Sequence, residues 1–216
     1  MTKNIINRIA IFAILIISFF GMNLEEGKGQ APCPVGSFFN VKTFTVNSCP
    51  VTVYYCYTPG AEPIFNILSI YVHPGCNLIL NSTNLNFIYE YILNNQIGLN
   101  IPPCENGGNV YWTAIFKQSQ CYRYERRGYS YYEYFELGGY SIVPCEEYVE
   151  CVLEYTVCTE PSGNKKITCI NAYTIGYSEI TCVTDSNNSI VNSFFLNSNQ
   201  IETVCINIEC KCVEGE

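Results

Sequence analysis

The chain carries 14 cysteines among its 216 residues, and all of them follow residue 32. Cysteine at this density is typical of exported proteins, whose thiols pair in an oxidising compartment. The even count predicts seven disulfides with no thiol left over. Zinc sites are usually built from CxxC pairs, whereas the closest pair here is Cys210-Lys211-Cys212. We therefore expect disulfides, and neither a metal site nor a redox-active CxxC motif.

The cysteine spacing repeats along the chain. In each half, two cysteines lie seven positions apart, and a second pair is separated by 28 positions. Related polar segments also recur, NSTN at 81–84 and DSNN at 185–188. We interpret the chain as two copies of one cysteine-rich module, residues 33–110 and 117–216. The repeated cysteines, which we expect to form disulfides, are Cys49, Cys56, Cys76, Cys104, Cys151, Cys158, Cys182 and Cys210.

The segment between the first two repeated cysteines has the composition of a β-strand, because Val51, Val53 and Tyr55 occupy alternate positions before a polar turn. Residues seven apart in a strand lie roughly 23 Å apart, whereas a disulfide needs Cα atoms within about 7 Å. This excludes a bond between Cys49 and Cys56 and leaves two connectivities in each module. We favour the connectivity in which the hairpin returns beside Cys49. Its bridges are Cys49–Cys76 and Cys56–Cys104, with Cys151–Cys182 and Cys158–Cys210 as the equivalents.

Each module also contains one segment with helical periodicity. In residues 81–98, Leu85, Ile88 and Ile92 recur at the spacing of one helix face, and a serine or threonine near the start is expected to cap it. Residues 186–200 form a weaker counterpart. The predicted fold class is mainly β with a small α component, as two tandem disulfide-bonded modules, each a small antiparallel sheet with one short helix.

The N-terminus has the organisation of a secretory signal peptide. Lys3 and Arg8 are basic, and the apolar run Ile9–Phe20, which contains one serine, is shorter than the roughly 20 residues of a membrane span. We predict a signal peptide at residues 1–22 and a flexible lead-in at 23–32, with a buried N-terminal helix as the alternative. No later apolar run is long enough to cross a membrane. The exported chain is expected to be extracellular or at the cell surface, with the periplasm left open.

The segment from Cys121 to Tyr140 holds seven tyrosines, arranged in alternation around an Arg-Arg-Gly turn. The first interpretation is cross-strand aromatic packing inside a sheet. The second is an exposed surface of tyrosine and arginine that stacks on sugar rings or binds a partner protein. The binding residues under the second interpretation are Tyr122, Tyr124, Arg126, Tyr132 and Tyr134.

A pattern framed by cysteines spans the middle of the chain. It comprises Trp112, Cys121, Val143-Pro144-Cys145, Cys151 and Tyr155-Thr156-Val157-Cys158. This order resembles uncharacterised cysteine-rich exported proteins of bacteria, and the resemblance covers roughly half of the chain. It implies export and a disulfide-bonded fold, and it carries no known catalytic residue.

Few residues in the chain have the chemistry of a catalytic site. His73 is the only histidine and Asp185 the only aspartate, so a Ser-His-Asp site is not predicted. His73 is expected in an exposed turn. A cluster of glutamates is expected to form a solvated acidic edge strand, with paired acid-base carboxylates as the alternative. These glutamates are Glu146, Glu147, Glu150 and Glu154.

The formal net charge of −8, with only 11 lysines and arginines, argues against a nucleic-acid partner. We expect an exported, disulfide-stabilised structural or adhesive protein with a tyrosine-rich interaction surface, non-catalytic and without a cofactor. Its expected partner is a cell-surface glycan or protein. The alternative is a carbohydrate- or substrate-binding module. A third hypothesis, a carboxylate-dependent hydrolase using Glu146 or Glu150, requires two carboxyl groups roughly 5–9.5 Å apart in a cleft.

Overall fold

The computed structural model describes residues 33–104, 112–126, 139–145, 149–176 and 182–213. Within these ranges the chain forms nine strands and two helices. The elements are β1 (Phe38–Val46), β2 (Cys49–Thr58), β3 (Ile64–Val72), α1 (Ser82–Asn95), β4 (Trp112–Ser119), β5 (Cys121–Glu125), β6 (Tyr140–Pro144), β7 (Glu150–Thr159), β8 (Lys165–Ile175), α2 (Ser189–Leu196) and β9 (Ile206–Asn207).

The nine strands join one mixed sheet. β1, β2 and β3 form an antiparallel meander, and β4, β7 and β8 form a second one. The two meanders meet where Ile64–Asn66 of β3 pairs in parallel with β4. Further along the same strand, Ile70–Val72 pairs instead with β6, which leads to β5 and the short β9. One edge of β3 therefore has two different neighbours.

Both halves of the chain follow the same order of elements, a three-stranded antiparallel meander followed by a helix. The second half differs because the β5–β6 hairpin is inserted between its first two strands. Residues Pro32–Glu216 form one compact unit, so strands of both halves share one sheet. The mainly β prediction is confirmed, whereas the division into modules 33–110 and 117–216 stays a prediction.

Helix α1 covers the sheet with the apolar face that its periodicity predicts. Leu85, Ile88 and Ile92 are all buried, which removes the three side chains from water on one side of the helix. The N-cap is Asn81 rather than a serine or threonine, because its side chain accepts a hydrogen bond from the amide of Asn84 at 2.9 Å. Asparagine is among the best residues at this position.

Aromatic rings fill the space between α1 and the centre of the sheet. The ring centroid of Tyr89 in α1 lies 4.3 Å from that of Phe116 in β4. Phe116 stacks on Phe65 of β3 at 4.7 Å and meets Tyr155 of β7 edge-on at 5.5 Å. Such pairs contribute about 0.5–1.5 kcal/mol each beyond the area they bury. This cluster joins the two halves, since it takes residues from both meanders.

Six disulfides cross-link the chain, whose cysteines all lie in the described residues. This number is typical of proteins in an oxidising, extracellular environment. Cys49 and Cys56 both belong to β2, which confirms that they do not bond each other. Cys49 and Cys76, which the sequence predicts to bond each other, are two thiols, so the structure contains six disulfides rather than the seven predicted. The bridges are Cys33–Cys56, Cys104–Cys158, Cys121–Cys182, Cys145–Cys205, Cys151–Cys210 and Cys169–Cys212.

The observed bridges differ from most of the predicted ones. The repeated 28-residue interval aligns Cys104 with Cys210, whereas the structural counterpart of Cys104 is Cys33. Each of these two precedes the first strand of its meander and bonds a cysteine near the end of the second strand, Cys158 and Cys56 respectively. Two pairs of cysteines with the same spacing in the sequence need not occupy equivalent positions in the fold. The predicted pairs Cys56–Cys104, Cys151–Cys182 and Cys158–Cys210 are therefore wrong.

The predicted signal peptide, residues 1–22, and the lead-in, residues 23–32, lie outside the described residues. In the part of the chain that the structure describes, α1 has 14 residues and α2 has 8. A membrane span needs roughly 20 apolar residues. Neither described helix has the length and hydropathy to cross a membrane.

Candidate functional site

The tyrosines of β5 that were candidates for a binding surface belong to the core. Tyr122 is 0% exposed and Tyr124 is 2% exposed. Tyr124 packs against Tyr140 of β6, with ring centroids 5.8 Å apart, and its hydroxyl accepts a hydrogen bond from the amide of Leu80 at 2.7 Å. Desolvation by burial raises the pKa of both phenols above the ordinary value. For Tyr122 and Tyr124 the prediction of an exposed binding surface is therefore wrong. The alternative prediction, aromatic packing inside the sheet, is the one that the structure shows.

Arg126, the charged member of that candidate surface, binds the end of α2. Its guanidinium donates to the carbonyls of Phe194 at 2.5 Å, Asn197 at 2.5 Å and Gln200 at 2.9 Å. The guanidinium carbon also lies 4.1 Å from the centroid of the Phe194 ring, which is a cation–π contact. The last carbonyls of a helix lack partners within the helix and attract a cation. Arg126 therefore has a structural role.

A cleft of about 540 Å³ opens between the starts of the two helices. Its walls are residues 79–83, which lead into α1, residues 184–191, which lead into α2, and residues 206–211, which contain β9. Tyr122 and Tyr124 of β5 line its floor. Small-molecule sites are usually clefts of about 300–1,000 Å³. We call this candidate site the helix-end cleft.

Seven of the seventeen residues that line the helix-end cleft carry side-chain amides or hydroxyls of asparagine, serine or threonine. Thr83 and Thr184 are exposed to solvent. Asn188 stands at the N-cap of α2 but forms no capping hydrogen bond with its side chain. These groups remain available to a ligand that offers several hydroxyl groups. The amide and hydroxyl residues of the cleft are Asn81, Ser82, Thr83, Thr184, Ser186, Asn188 and Asn207.

Asp185 holds the start of α2 at the wall of the cleft. Its Oδ2 accepts hydrogen bonds from the amides of Ile190 at 3.0 Å and Val191 at 3.2 Å, and its Oδ1 accepts one from Ser189 Oγ at 3.1 Å. Desolvation by burial raises the pKa of this carboxyl, but the hydrogen bonds outweigh it, and the pKa lies below its ordinary value. Asp185 is therefore ionised at neutral pH and caps α2.

Covalent and hydrogen bonds tie the walls of the helix-end cleft to the sheet. Ser82 Oγ donates to the carbonyl of Glu209 at 2.8 Å, which links the start of α1 to the C-terminal wall. Cys210 in that wall bonds Cys151 of β7. Cys182, which precedes the α2 wall, bonds the first residue of β5. A cleft held this way loses little conformational freedom when it binds a ligand.

One signal in the sequence pointed towards this site. The polar segment 81–84 holds the N-cap and first residues of α1, the related segment 185–188 directly precedes α2, and residues of both line the cleft. Their similarity was evidence for the repeat, but the repeat does not say that the two copies face one another. Only the path of the chain over the sheet brings them together.

His73 lies at the end of β3 and is more enclosed than the exposed turn that we expected. Its Nε2 is 3.0 Å from Thr52 Oγ1, and its ring centroid is 5.0 Å from that of Tyr71. Thr52 and Tyr71 are directly opposite each other in the β2–β3 ladder. The imidazole therefore packs against a strand pair, away from the residues that line the helix-end cleft.

The candidate carboxylates do not form a catalytic pair in the described residues. Glu150 and Glu154 are four residues apart on β7, so they lie roughly 13 Å apart, beyond the roughly 5–9.5 Å of glycosidase pairs. Glu154 accepts a hydrogen bond from the Tyr173 hydroxyl at 3.1 Å. β7 lies between β4 and β8, so the prediction of an acidic edge strand is wrong. The candidates outside the described residues are Tyr132, Tyr134, Glu146 and Glu147.

Among the described residues, no group of three histidine, cysteine, aspartate or glutamate side chains is placed to hold a metal ion. Comparisons of the chain with protein-family models, curated proteins and solved structures find no match. A functional hypothesis for this protein therefore rests on the geometry of the helix-end cleft.

Proposed function

We propose that this protein is a non-catalytic binding protein of the extracellular space or cell surface, and that the helix-end cleft takes an uncharged carbohydrate. The six disulfides support a protein of an oxidising compartment. The observation that carries the ligand class is the cleft itself, whose rim offers side-chain amides and hydroxyls from three anchored segments. Such groups pair with the hydroxyls of a sugar, each acting as donor or acceptor.

The charges around the cleft favour a neutral ligand. Asp185 and Glu209 bring two negative charges, and Lys211 brings one positive charge. Lys211 is paired with Glu209 at 2.6 Å, so a phosphate or sulfate group would compete with that carboxylate for the ammonium. A strongly cationic ligand would meet one uncompensated carboxylate, which is already bonded to the start of α2. A polyhydroxylated, uncharged molecule fits this balance best.

The same contacts argue for binding rather than hydrolysis. A general acid needs a carboxyl whose pKa is raised towards neutrality, whereas the pKa of Asp185 is lowered. Glu209 is held in its ion pair with Lys211. Asp185 therefore serves the structure of the α2 wall rather than acid catalysis, and the carbohydrate is expected to be released unchanged.

The test is a screen of neutral and acidic glycans, followed by calorimetry on the hits. Thr83→Val and Asn188→Gly remove rim groups with little change in backbone, because Asn188 has φ of 53°, which glycine adopts readily. We expect a neutral glycan to bind, and the double variant to bind it at least about tenfold more weakly through the loss of two hydrogen bonds.

The matched control is Asn94→Ala, an exposed asparagine at the far end of α1. It should bind the glycan as the parent does, and circular dichroism should show the same fold for all three proteins. Failure of every neutral glycan to bind would refute the proposal, as would equal binding by the double variant and the parent.

The exposed edge of the sheet favours a second candidate, a structural or adhesive protein that associates through β8. Strand β8 ends the path of the sheet. It exposes Ile170 at 55%, Tyr173 at 38% and Ile175 at 46%, and a long apolar edge strand is a template for association. Sedimentation tests it: Ile170→Lys should weaken self-association, and a parent protein that stays monomeric at high concentration would refute it.

A further inference from the structure

Two thiols meet at one end of the first meander. Cys49 is the first residue of β2 and is 8% exposed, and Cys76 follows β3 and is half-buried. The amide of His73 donates to the carbonyl of Pro50 at 3.1 Å, which brings the chain after β3 back beside the start of β2. The Cys76 sulfur then lies 3.8 Å from the carbonyl oxygen of Ser48. The two cysteines are therefore neighbours across a backbone arrangement that the ladder holds in place.

The two thiols lie within hydrogen-bond reach of each other. Burial first, then the hydrogen bond with Cys76 and the negative charge that Cys76 carries as a thiolate, raise the pKa of the Cys49 thiol to about 11. At neutral pH only about one molecule in ten thousand then carries the Cys49 thiolate. Since the thiolate is the attacking species, attack on the oxidant by Cys49 itself is slow. A slow rate does not alter which state is favoured once an oxidant is present.

The second meander shows what happens at the equivalent position. Cys151, near the start of β7, is bonded to Cys210. Near the ends of the two second strands, Cys56 and Cys158 are bonded as well. Of the four cysteines that repeat in these strands, Cys49 is the one that lacks a bridge. The start of the second strand is therefore cross-linked by a disulfide in the second meander, at Cys151, whereas in the first meander two thiols, Cys49 and Cys76, lie at that position.

We infer that Cys49 and Cys76 form a seventh disulfide in the protein as it matures in an oxidising compartment. The oxidant is a small-molecule or protein disulfide. One thiolate attacks it to give a mixed disulfide, and the second thiol displaces the leaving thiolate. The two cysteines give up two protons and two electrons, and the oxidant becomes two thiols.

The new bridge anchors the segment that runs from Cys76 to α1. Residues 79–81 of that segment form part of one wall of the helix-end cleft. The bridge thus fixes the third wall to the sheet, as the bridges of Cys210 and Cys182 fix the other two. The inference itself stands apart from the proposed ligand, because its evidence is the placement of the two thiols.

The test counts thiols in the full chain recovered from an oxidising compartment without reductant. The protein is unfolded in guanidinium chloride with a maleimide, and its mass is measured before and after labelling. Pepsin then maps the bridges, because no lysine or arginine lies between Lys42 and Lys117 and trypsin would leave one large fragment. We expect no maleimide on the parent, and a peptic pair that joins Cys49 to Cys76.

Three variants serve as controls. Cys49→Ser and Cys76→Ser should each take up one maleimide, and the double variant should take up none while keeping the other six bridges. Two maleimides on the parent, at Cys49 and Cys76, would overturn the inference, and so would a bridge from either cysteine to a different partner. If a single variant fails to fold, the peptic map of the parent decides the question by itself.

Discussion

Replacing Arg126 by methionine should loosen the end of α2 and destabilise the whole fold. The substitution keeps a stem of similar length, so packing along the chain is preserved. It removes the guanidinium that donates to the carbonyls of Phe194, Asn197 and Gln200. It also removes the cation–π contact with the Phe194 ring. What is lost is therefore a set of polar contacts rather than buried apolar area.

The size of the effect follows from the exposure of each carbonyl. A hydrogen bond from a charged donor contributes about 1.5–3 kcal/mol when its partner is buried, and less when water replaces it. The hydrogen bond to Asn197 is exposed, and those to Phe194 and Gln200 are partly buried. We assign about 0.5 kcal/mol to the first and about 1 kcal/mol to each of the others. The ring contact adds about 0.5 kcal/mol, so the expected loss is about 3 kcal/mol.

Urea unfolding with the disulfides intact measures this loss, and a thermal scan should show a fall of about 6–12 °C for a chain of this size. The matched control is Arg123→Met, three residues earlier in β5. Arg123 forms one partly buried ion pair with Glu125, two residues along the strand. A single pair of this kind is expected to contribute about 1 kcal/mol, less than the several contacts of Arg126. The reasoning is refuted if Arg126→Met unfolds at the same urea concentration as the parent, or if both variants lose equal stability.

Two further predictions concern buried hydroxyls and the capping carboxylate. Tyr140→Phe should cost about 1–3 kcal/mol, because its hydroxyl bonds the amide and carbonyl of Leu78. Tyr89→Phe should cost almost nothing, since in the described residues its buried hydroxyl has no partner; equal losses in urea would contradict this. Asp185→Asn should lower stability at neutral pH. Because the folded pKa is depressed, the difference from the parent should persist above the unfolded pKa of about 3.9 and shrink as pH falls through the folded value. Urea midpoints at several pH values test this, and an unchanging difference would contradict it.

Local structure was readable from local sequence. Alternation of Val51, Val53 and Tyr55 predicts a strand, and β2 contains all three. The recurrence of Leu85 and Ile88 on one helix face predicts α1, and both are buried. Periods of two and 3.6 residues report which face of an element is apolar, and that information is contained within a few turns of chain.

Contacts between distant segments were not readable in this way. The tyrosines of β5 alternate along the strand, which places them on one face of the sheet. Alternation is the same whether that face is exposed to solvent or covered by a second layer, so it could not distinguish the packing interpretation from the binding-surface interpretation. Tyr124 is buried since α2 packs on it, with Phe194 5.9 Å away between ring centroids. Arg126 likewise finds its carbonyl partners about seventy residues along the chain. Neither partner is marked by any local pattern near β5.

The amino-acid sequence by itself determined the mainly β class, the first helix, the cysteine-stabilised character and the absence of a bond between Cys49 and Cys56. These depend on composition, on periodicity and on the fixed rise of a strand. Only the tertiary structure decided which cysteines bond and where the cleft lies. A disulfide or a cleft wall requires that segments remote in sequence meet, and their meeting depends on the order of strands in the sheet. The parallel contact of β3 with β4 is the step that places one meander beside the other, and no residue near either strand encodes it alone.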